Sequence, residues 1–322
     1  MSGFSWVVGE RMGGKLAAPK TGSQWPYVNA EEKKAAFPNS ERRPSSLVVS
    51  SPGSASYNRE GGPPQKRMFL AIDVGNTNVT LGLFEGDSLR ATWRLATDIE
   101  RLADEYGSLV LSLVQHNGLS TNDVKEAAMT CVVPELEPVF LTVCRRYFGV
   151  TPLVIGVGTR TGLKVLYDTP RDVGADRVVD AVAAIRTYGP PLIVVDIGTA
   201  TVFDAVNADG DYLGGAIAPG PGIAFEALIQ RAAKLYRVEF ARPDSAIGRN
   251  TVAALQSGMI FGYVGLVEGI VARMKAELGG QAKVIGTGGY AASIAAETNI
   301  IEKVDPDLTL RGLRLVFDMN RS

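Results

Sequence analysis

From residue 69 onward, short apolar runs end in polar turns and alternate with longer segments of helical spacing. "FLAIDV" (69–74) and "VTLGLFEG" (79–86) read as the two strands of a hairpin, with a third strand near "ATWRLAT" (91–97). "ADEYGSLVLSLVQHNG" places its apolar residues at helical spacing and ends on a Gly stop. "VKEAAMTCVV" ends in a strand, "LEPVFLTVCRRYFG" is a helix, "TPLVIG" is a strand and "ADRVVDAVAAIRTYG" is a strongly apolar helix. At "PLIVVDIG" (191–198) the pattern begins again. Alternation of this kind predicts an α/β fold.

The two halves are related. Aligning Asp73 with Asp196, 123 residues further on, superposes strand, Asp, apolar residue, Gly, small polar residue and second strand. Both copies run on to an acidic turn with a Gly beside it, "EGD" ending at Asp87 and "ADGD" ending at Asp211. Units of this length are too long for a solenoid repeat. They predict two lobes with a cleft between them.

A Gly turn after a strand points several backbone N–H groups at one place. Such a nest attracts phosphate oxygens, and Gly lets them approach closely. Thr and Asn side chains add neutral donors, and an Asp at the strand end offers an oxygen ligand to a hard cation. One such turn alone is more simply a hairpin with a polar tip, since Asp and Gly are ordinary turn residues. Two of them across a cleft could grip a polyphosphate and its metal from both sides. A third Gly cluster, "AKVIGTGGYAA" (282–292), follows an apolar strand and precedes a small-residue helix. Its spacing is incomplete for a dinucleotide fingerprint. Close packing of a nucleotide and a plain strand-to-helix turn both remain open. No GxxxxGK[ST] occurs, which excludes a P-loop protein.

Composition narrows the chemistry. The 322 residues allow one large domain or two of ordinary size. The formal net charge of -1 gives no global field toward nucleic acid or a membrane, so neither is an expected partner. No apolar run is read as long enough to span a bilayer. Cys131 and Cys144 are too few for a disulfide framework and lack the CxxC spacing of a zinc site. They suit a reducing, cytoplasmic location. The single histidine, His116, sits in "VQHNGLS", which reads as a helix end. Acid–base chemistry therefore falls to carboxylates. Residues 1–67 are rich in Ser, Pro and Gly and lack a sustained apolar period, so a disordered N-terminal extension is expected there. "FSWVV" is too short for a signal-peptide core, and several glutamates argue against a transit peptide. A wrongly chosen upstream start codon is preferred to a regulatory arm.

The segments "DVGNTNVT", "YDTPRDVGADR", "VDIGTAT", "GGAIAPG", "IGRNTVAALQSGMIFGYVGLVEGI" and "VDPDLTLRGLRLVF" occur in this order. Together they make the chain resemble the type III pantothenate kinases from Met68 to near its C-terminus, about four-fifths of its length. "GADR" alone would be weak, but the ordered set is highly specific. The resemblance implies the acetate and sugar kinase, Hsp70 and actin superfamily. The implied fold is α/β, with two ribonuclease-H-like lobes (the actin-like ATPase fold) and an inter-lobe cleft, after the disordered tail. The lobes are expected at 68–190 and 191–322.

The same resemblance implies ATP-dependent phosphorylation of pantothenate to 4'-phosphopantothenate, the first step of coenzyme A biosynthesis. It brings Mg²⁺ with the ATP, a monovalent cation (potassium or ammonium) and a homodimer with the pantothenate site near its interface. Carried over by position, Asp73, Val74, Gly75, Asn76, Thr77, Asn78, Val79 and Thr80 would form the first phosphate loop, with Asp73 near Mg²⁺. Asp196 would bind the monovalent cation and Thr199 the ATP phosphates. Tyr167, Gly174, Ala175, Asp176, Arg177 and Thr251 would hold pantothenate, with Asp176 as the proton acceptor.

The residues themselves support part of this. Gly174 to Arg177 lie at a helix start, where free N–H groups and the positive dipole end welcome a carboxylate or phosphate. Arg177 can add a forked donor pair and is the only strong candidate for a cation at the site read within these motifs. The plainer reading of Asp176 is that it complements the dipole in the first turn. Pro221, where many family members have Leu, is expected to stiffen its loop. Gly258, Gly262, Gly265 and Gly269 share one helix face, which either packs within a lobe or meets a second copy. Two other functions compete: a non-catalytic regulatory protein resembling the Bvg accessory factor, and another small-molecule kinase of the superfamily. The presence of Asp73, Asp176, Asp196 and Thr199 favours an enzyme, and "GADR" and "GRNT" favour pantothenate over a sugar or carboxylate.

Overall fold

The computed structural model describes residues 67–321, and the expected disordered extension at 1–67 lies outside the described residues except for Arg67. β1 (Met68–Val74), β2 (Asn78–Glu85) and β3 (Ser88–Ala96) form an antiparallel meander. After α1 (Ala103–His116), β4 (Val124–Cys131) joins β1 in parallel. α2 (Glu137–Val143) then leads to β5 (Leu153–Val154), parallel to β4. The first sheet has the order β3-β2-β1-β4-β5.

Beyond α3 (Ala175–Tyr188) the same plan recurs. β6 (Leu192–Ile197), β7 (Ala200–Val206) and β8 (Tyr212–Pro219) form a second antiparallel meander. α4 (Pro221–Arg231) and α5 (Thr251–Glu277) precede β9 (Lys283–Thr287), which is parallel to β6. α6 (Ala291–Ala295) and β10 (Lys303–Val304) follow, giving the order β10-β9-β6-β7-β8. α7 (Leu308–Asn320) ends the described chain. The two sheets thus share one ribonuclease-H-like strand order, as the sequence repeat predicts.

Strand alternation explains the layering, because successive side chains point to opposite faces. On β1, Leu70, Ile72 and Val74 pack with Tyr106 and Val110 of α1 and Phe140 of α2. Phe69 and Ala71 face the other way, onto Val179 and Val182 of α3 and Leu310, Leu313 and Val316 of α7. On β6, Ile193 and Val195 meet Val264, Val267 and Val271 of α5, whereas Leu192 and Val194 pack with Ala181 and Ala184 of α3 and Leu308 of α7. α3 and α7 therefore form a layer between the two sheets, which is why α3 is apolar on more than one side. They approach closely at Gly312, where a Cβ would lie 2.2 Å from the Val179 carbonyl oxygen. α7, late in sequence, packs on β1 and β4 of the first sheet.

Two expectations are corrected. Pro221 does not stiffen a loop; it stands in the first turn of α4. Proline is welcome there, because its missing N–H would be unpaired in any case. Nor is every apolar run short. α5, with 27 residues, is long and apolar enough by composition to cross a bilayer. Its glycines and scattered polar residues interrupt the run in sequence without breaking the helix, and Val264, Val267 and Val271 hold it against the second sheet.

Candidate active site

The site begins at the penultimate residues of β1 and β6. Asp73 pairs in register with Thr80 on β2 and Thr130 on β4, and Thr80 pairs with Arg94 on β3. Laterally paired residues share a sheet face. Arg94, Thr80, Asp73 and Thr130 thus form one row across the first sheet, on the side of the α3–α7 layer. The corresponding row of the second sheet is Ile217, Val202, Asp196 and Thr287. The two aspartates sit at equivalent places and face the same space.

The loops after these strands close on one another. Gly75 N donates to Asn78 O at 3.0 Å and Gly198 N to Ala200 O at 2.9 Å, so each strand end turns back tightly. The Thr77 and Thr199 hydroxyls meet at 2.6 Å, joining the first loop to the second. Between them lies a cleft of about 210 Å³, lined by Asn76, Thr77 and Asn78 on one side and Gly198, Thr199 and Ala200 on the other. Thr287, Gly288 and Gly289 of the third Gly cluster also line it. Gly288 has φ +90°, and a Cβ there would lie 2.2 Å from Asp196 Oδ1. Only glycine allows this backbone to pass so near the carboxylate.

The α3 N-terminus supplies the remaining wall. Gly174 is its N-cap residue, and Asp176 and Asp180, one turn apart, both line the cleft. Asp176 Oδ1 accepts from the Arg177 N–H at 2.8 Å, so it complements the helix start while facing the cleft. Asp180 is buried at 4% exposure, and its Oδ1 has no hydrogen-bond partner. Its other link is to Thr309 on α7.

These carboxylates crowd one another. Burial, moderated by the Thr130 hydroxyl and reinforced by Asp176, pushes Asp73 up to about 7. Burial and then the charges of Asp73, Asp176 and Asp204 push Asp196 up to about 7. Burial first and the charge of Asp196 next hold Asp180 well above the usual carboxylate range. Buried carboxylates that crowd one another and resist ionisation are suited to receive cations. No group of three or more His, Cys, Asp or Glu side chains among the described residues forms a metal site by itself.

The other predicted residues fall into distinct groups. Gly75, Asn76, Thr77, Asn78, Thr80 and Thr199 line the cleft, but the Val74 and Val79 side chains are buried in the core on the opposite face. Tyr167 lies beside β8, its ring 3.1 Å from where a Gly214 Cβ would be. Arg177 donates from Nε and Nη2 to Asp204 Oδ1, at 3.0 and 2.6 Å, and Tyr212 donates to the same oxygen at 2.7 Å. Two arms of its fork are thus engaged by the fold. Thr251 opens α5 and is exposed, outside the cleft lining.

Sequence reasoning missed Asp180, Thr130, Thr287 and Arg94. The spacing of Asp176 and Asp180, four residues on an evident helix, was a usable signal. Thr130 and Thr287 stand 157 residues apart, not 123, so the repeat alignment hid their equivalence. Nothing local marks Arg94.

Comparison with known proteins gives the family. The profile of the type III pantothenate kinase family matches residues 69–273. A type III pantothenate kinase from Roseiflexus sp. (strain RS-1) is 52% identical over 255 residues, covering 79% of this chain and 100% of that protein. Another from Moorella thermoacetica is 52% identical over 253 residues, again covering 79% of this chain and 100% of that protein. The crystal structure of a Baf family protein from Campylobacter jejuni has a TM-score of 0.51 at 19% identity, covering 78% of this chain and 98% of that one. The last is a likeness of fold.

Proposed function

The chain belongs to the type III pantothenate kinase family, and we propose that the cleft between its two sheets is where the family's reaction runs. The protein is a phosphotransferase that moves the γ-phosphoryl group of ATP to the hydroxyl of pantothenate, giving 4'-phosphopantothenate for coenzyme A synthesis. The observation that carries the site assignment is the pair of equivalent strand ends, Asp73 and Asp196, whose loops meet at Thr77 and Thr199.

In this reading the loop from Asp73 to Thr80 and Thr199 hold the phosphates through backbone N–H groups and hydroxyls. The side chains of Val74 and Val79 serve only to seat the loop. Asp73 would hold Mg²⁺, a hard cation that it suits as an oxygen donor, and Asp196 a potassium or ammonium ion. These cations supply positive charge where negative charge gathers on the phosphates. The Gly288–Gly289 turn gives the nucleotide room to pack. Asp176 takes the proton as the pantothenate oxygen bonds to Pγ, while the bond from Pγ to the β,γ-bridging oxygen breaks and ADP leaves. A carboxylate is a weak base for an alcohol, but phosphoryl transfer is loose and forms the nucleophile bond late, so positioning suffices.

Tyr167, the Gly174–Arg177 turn and Thr251 would hold pantothenate, Thr251 across a homodimer interface. Cβ atoms at Gly258, Gly262 and Gly265 would meet nothing within 4 Å in this chain, which supports a second copy as their neighbour. The free thiols of Cys131 and Cys144 suit a reducing cytoplasm. The intact set of Asp73, Asp176, Asp196 and Thr199 disfavours a purely regulatory role.

The test is an ATP-dependent phosphorylation assay on the purified chain, offering pantothenate beside sugars and acetate. Phosphorylation of pantothenate is expected; turnover of a sugar or acetate alone would reject the substrate.

A further inference from the structure

The cleft poses a charge problem that the predicted residues do not solve. Asp73, Asp176, Asp180 and Asp196 all line it, and ATP adds several more negative charges. Arg177, the cation expected from sequence, gives Nε and Nη2 to Asp204 and does not line the cleft.

Among the cleft-lining residues one other side chain is cationic, Arg94. It occupies the outer end of the Arg94–Thr80–Asp73–Thr130 row, two strands from Asp73. Adjacent strands lie about 4.8 Å apart, so the Arg94 and Asp73 backbones are about 10 Å apart on one face. An extended arginine covers much of that distance, over Thr80, with no side chain of the row blocking it. Trp93 and Leu95 point to the other face and pack on the α1–α2 core, which fixes the direction of Arg94. Arg94 is exposed, and no protein partner engages its guanidinium among the described residues. Arg90, four residues earlier on the same strand, is by contrast paired with Glu85 at 3.4 Å.

We propose that Arg94 is a catalytic residue that binds the phosphate chain of ATP from the first sheet, directing its planar guanidinium at oxygens beyond the α-phosphate. The inference rests on the kinase reading of the cleft. An unpaired guanidinium facing an acidic cleft has no reason within the fold to be there, and its forked donors match phosphate oxygens. It would also steer ATP past the aspartates, because a cation at the mouth offsets their repulsion.

The test compares Arg94→Gln and Arg94→Lys with Arg90→Gln as a control, all in the full chain. Affinities for AMP, ADP and ATP are measured by calorimetry, with kcat and KM for ATP alongside. Arg94→Gln is expected to weaken ATP binding about 30-fold, from the loss of charge-assisted hydrogen bonds. AMP affinity should stay within about twofold, because the α-phosphate is not the target. Lysine should recover part of the loss, and melting temperatures should not move, since Arg94 supports nothing in the fold. ATP affinity within twofold of wild type in Arg94→Gln, or an equal loss for AMP and ATP, would overturn the proposal. Failure of the wild-type enzyme to phosphorylate pantothenate would reject the substrate and leave the nucleotide comparison standing.

Discussion

The two sheets have the same strand order and the same Asp–Thr pair at the inner half of the row, yet they differ in two places. The outer half of the row is Thr80 and Arg94 in the first sheet but Val202 and Ile217 in the second. The strand that runs beside the aspartate continues into Cys131 and Val132 in the first sheet, and into Gly288 and Gly289 in the second. The first sheet is thus built to meet charge. The second brings bare glycine backbone close against its carboxylate, since a Cβ at Gly288 would lie 2.2 Å from Asp196 Oδ1. A duplicated framework provides two equivalent strand ends, and a few side chains divide the work between them.

The largest effect should separate the two aspartates. Asp73→Asn is expected to lower kcat by at least about 10²-fold, because it removes the carboxylate proposed to hold the metal on the phosphates. Asp196→Asn should instead raise the ATP requirement and flatten the response to potassium. Kinetics with potassium titrated against ATP tests this, and a potassium-induced rise in melting temperature, seen in wild type and lost in Asp196→Asn, gives a readout apart from activity. Equal kinetic phenotypes would erase the division proposed here.

Next comes the glycine turn beside Asp196. Gly288→Ala should destabilise the protein by about 2 kcal/mol or more, because it combines positive-φ strain with a clash against a buried carboxylate. Denaturant unfolding measures it. A change below about 0.5 kcal/mol would mean the turn relaxes freely.

Asp180, between the sheets, predicts a pH effect. Its proton is held well above the unfolded value of 3.8, so the folded state keeps a proton that the unfolded chain loses. Stability from this residue is therefore present at low pH and falls as pH rises above about 4, by at most about 1.4 kcal/mol per pH unit. Asp180→Asn lacks this loss, so its stability relative to wild type should grow as pH rises. A difference independent of pH would show that Asp180 ionises normally.

The smallest effect concerns the shared threonines. The Thr130 hydroxyl donates to Asp73 at 2.9 Å and favours its ionised form, whereas no such bond joins Thr287 to Asp196 among the described residues. Thr130→Val should move the acid limb of magnesium–ATP binding to higher pH, weakening binding about threefold near neutrality. Thr287→Val should leave that limb in place. Binding measured between pH 6 and 8 distinguishes them.

Much of this was legible along the chain. Short apolar runs ending in polar turns marked β1, β2, β6 and β7. The Asp–Gly turns marked the strand ends, and Gly174 marked a helix start. Each is a local signal, because period, turn chemistry and capping act within a few residues. The repeat and the ordered motifs carried the fold and the phosphotransferase assignment. Tertiary structure alone decided the rest. Arg94 joins the Asp73 row only because β2 pairs with both β1 and β3 in a particular register. Arg177 is drawn to Asp204 by the packing of α3 against the second sheet. Asp180 looks like a solvent-facing helix carboxylate until α7 returns from the end of the chain and buries it. Those outcomes depend on contacts between segments far apart in sequence, whose register no local pattern encodes.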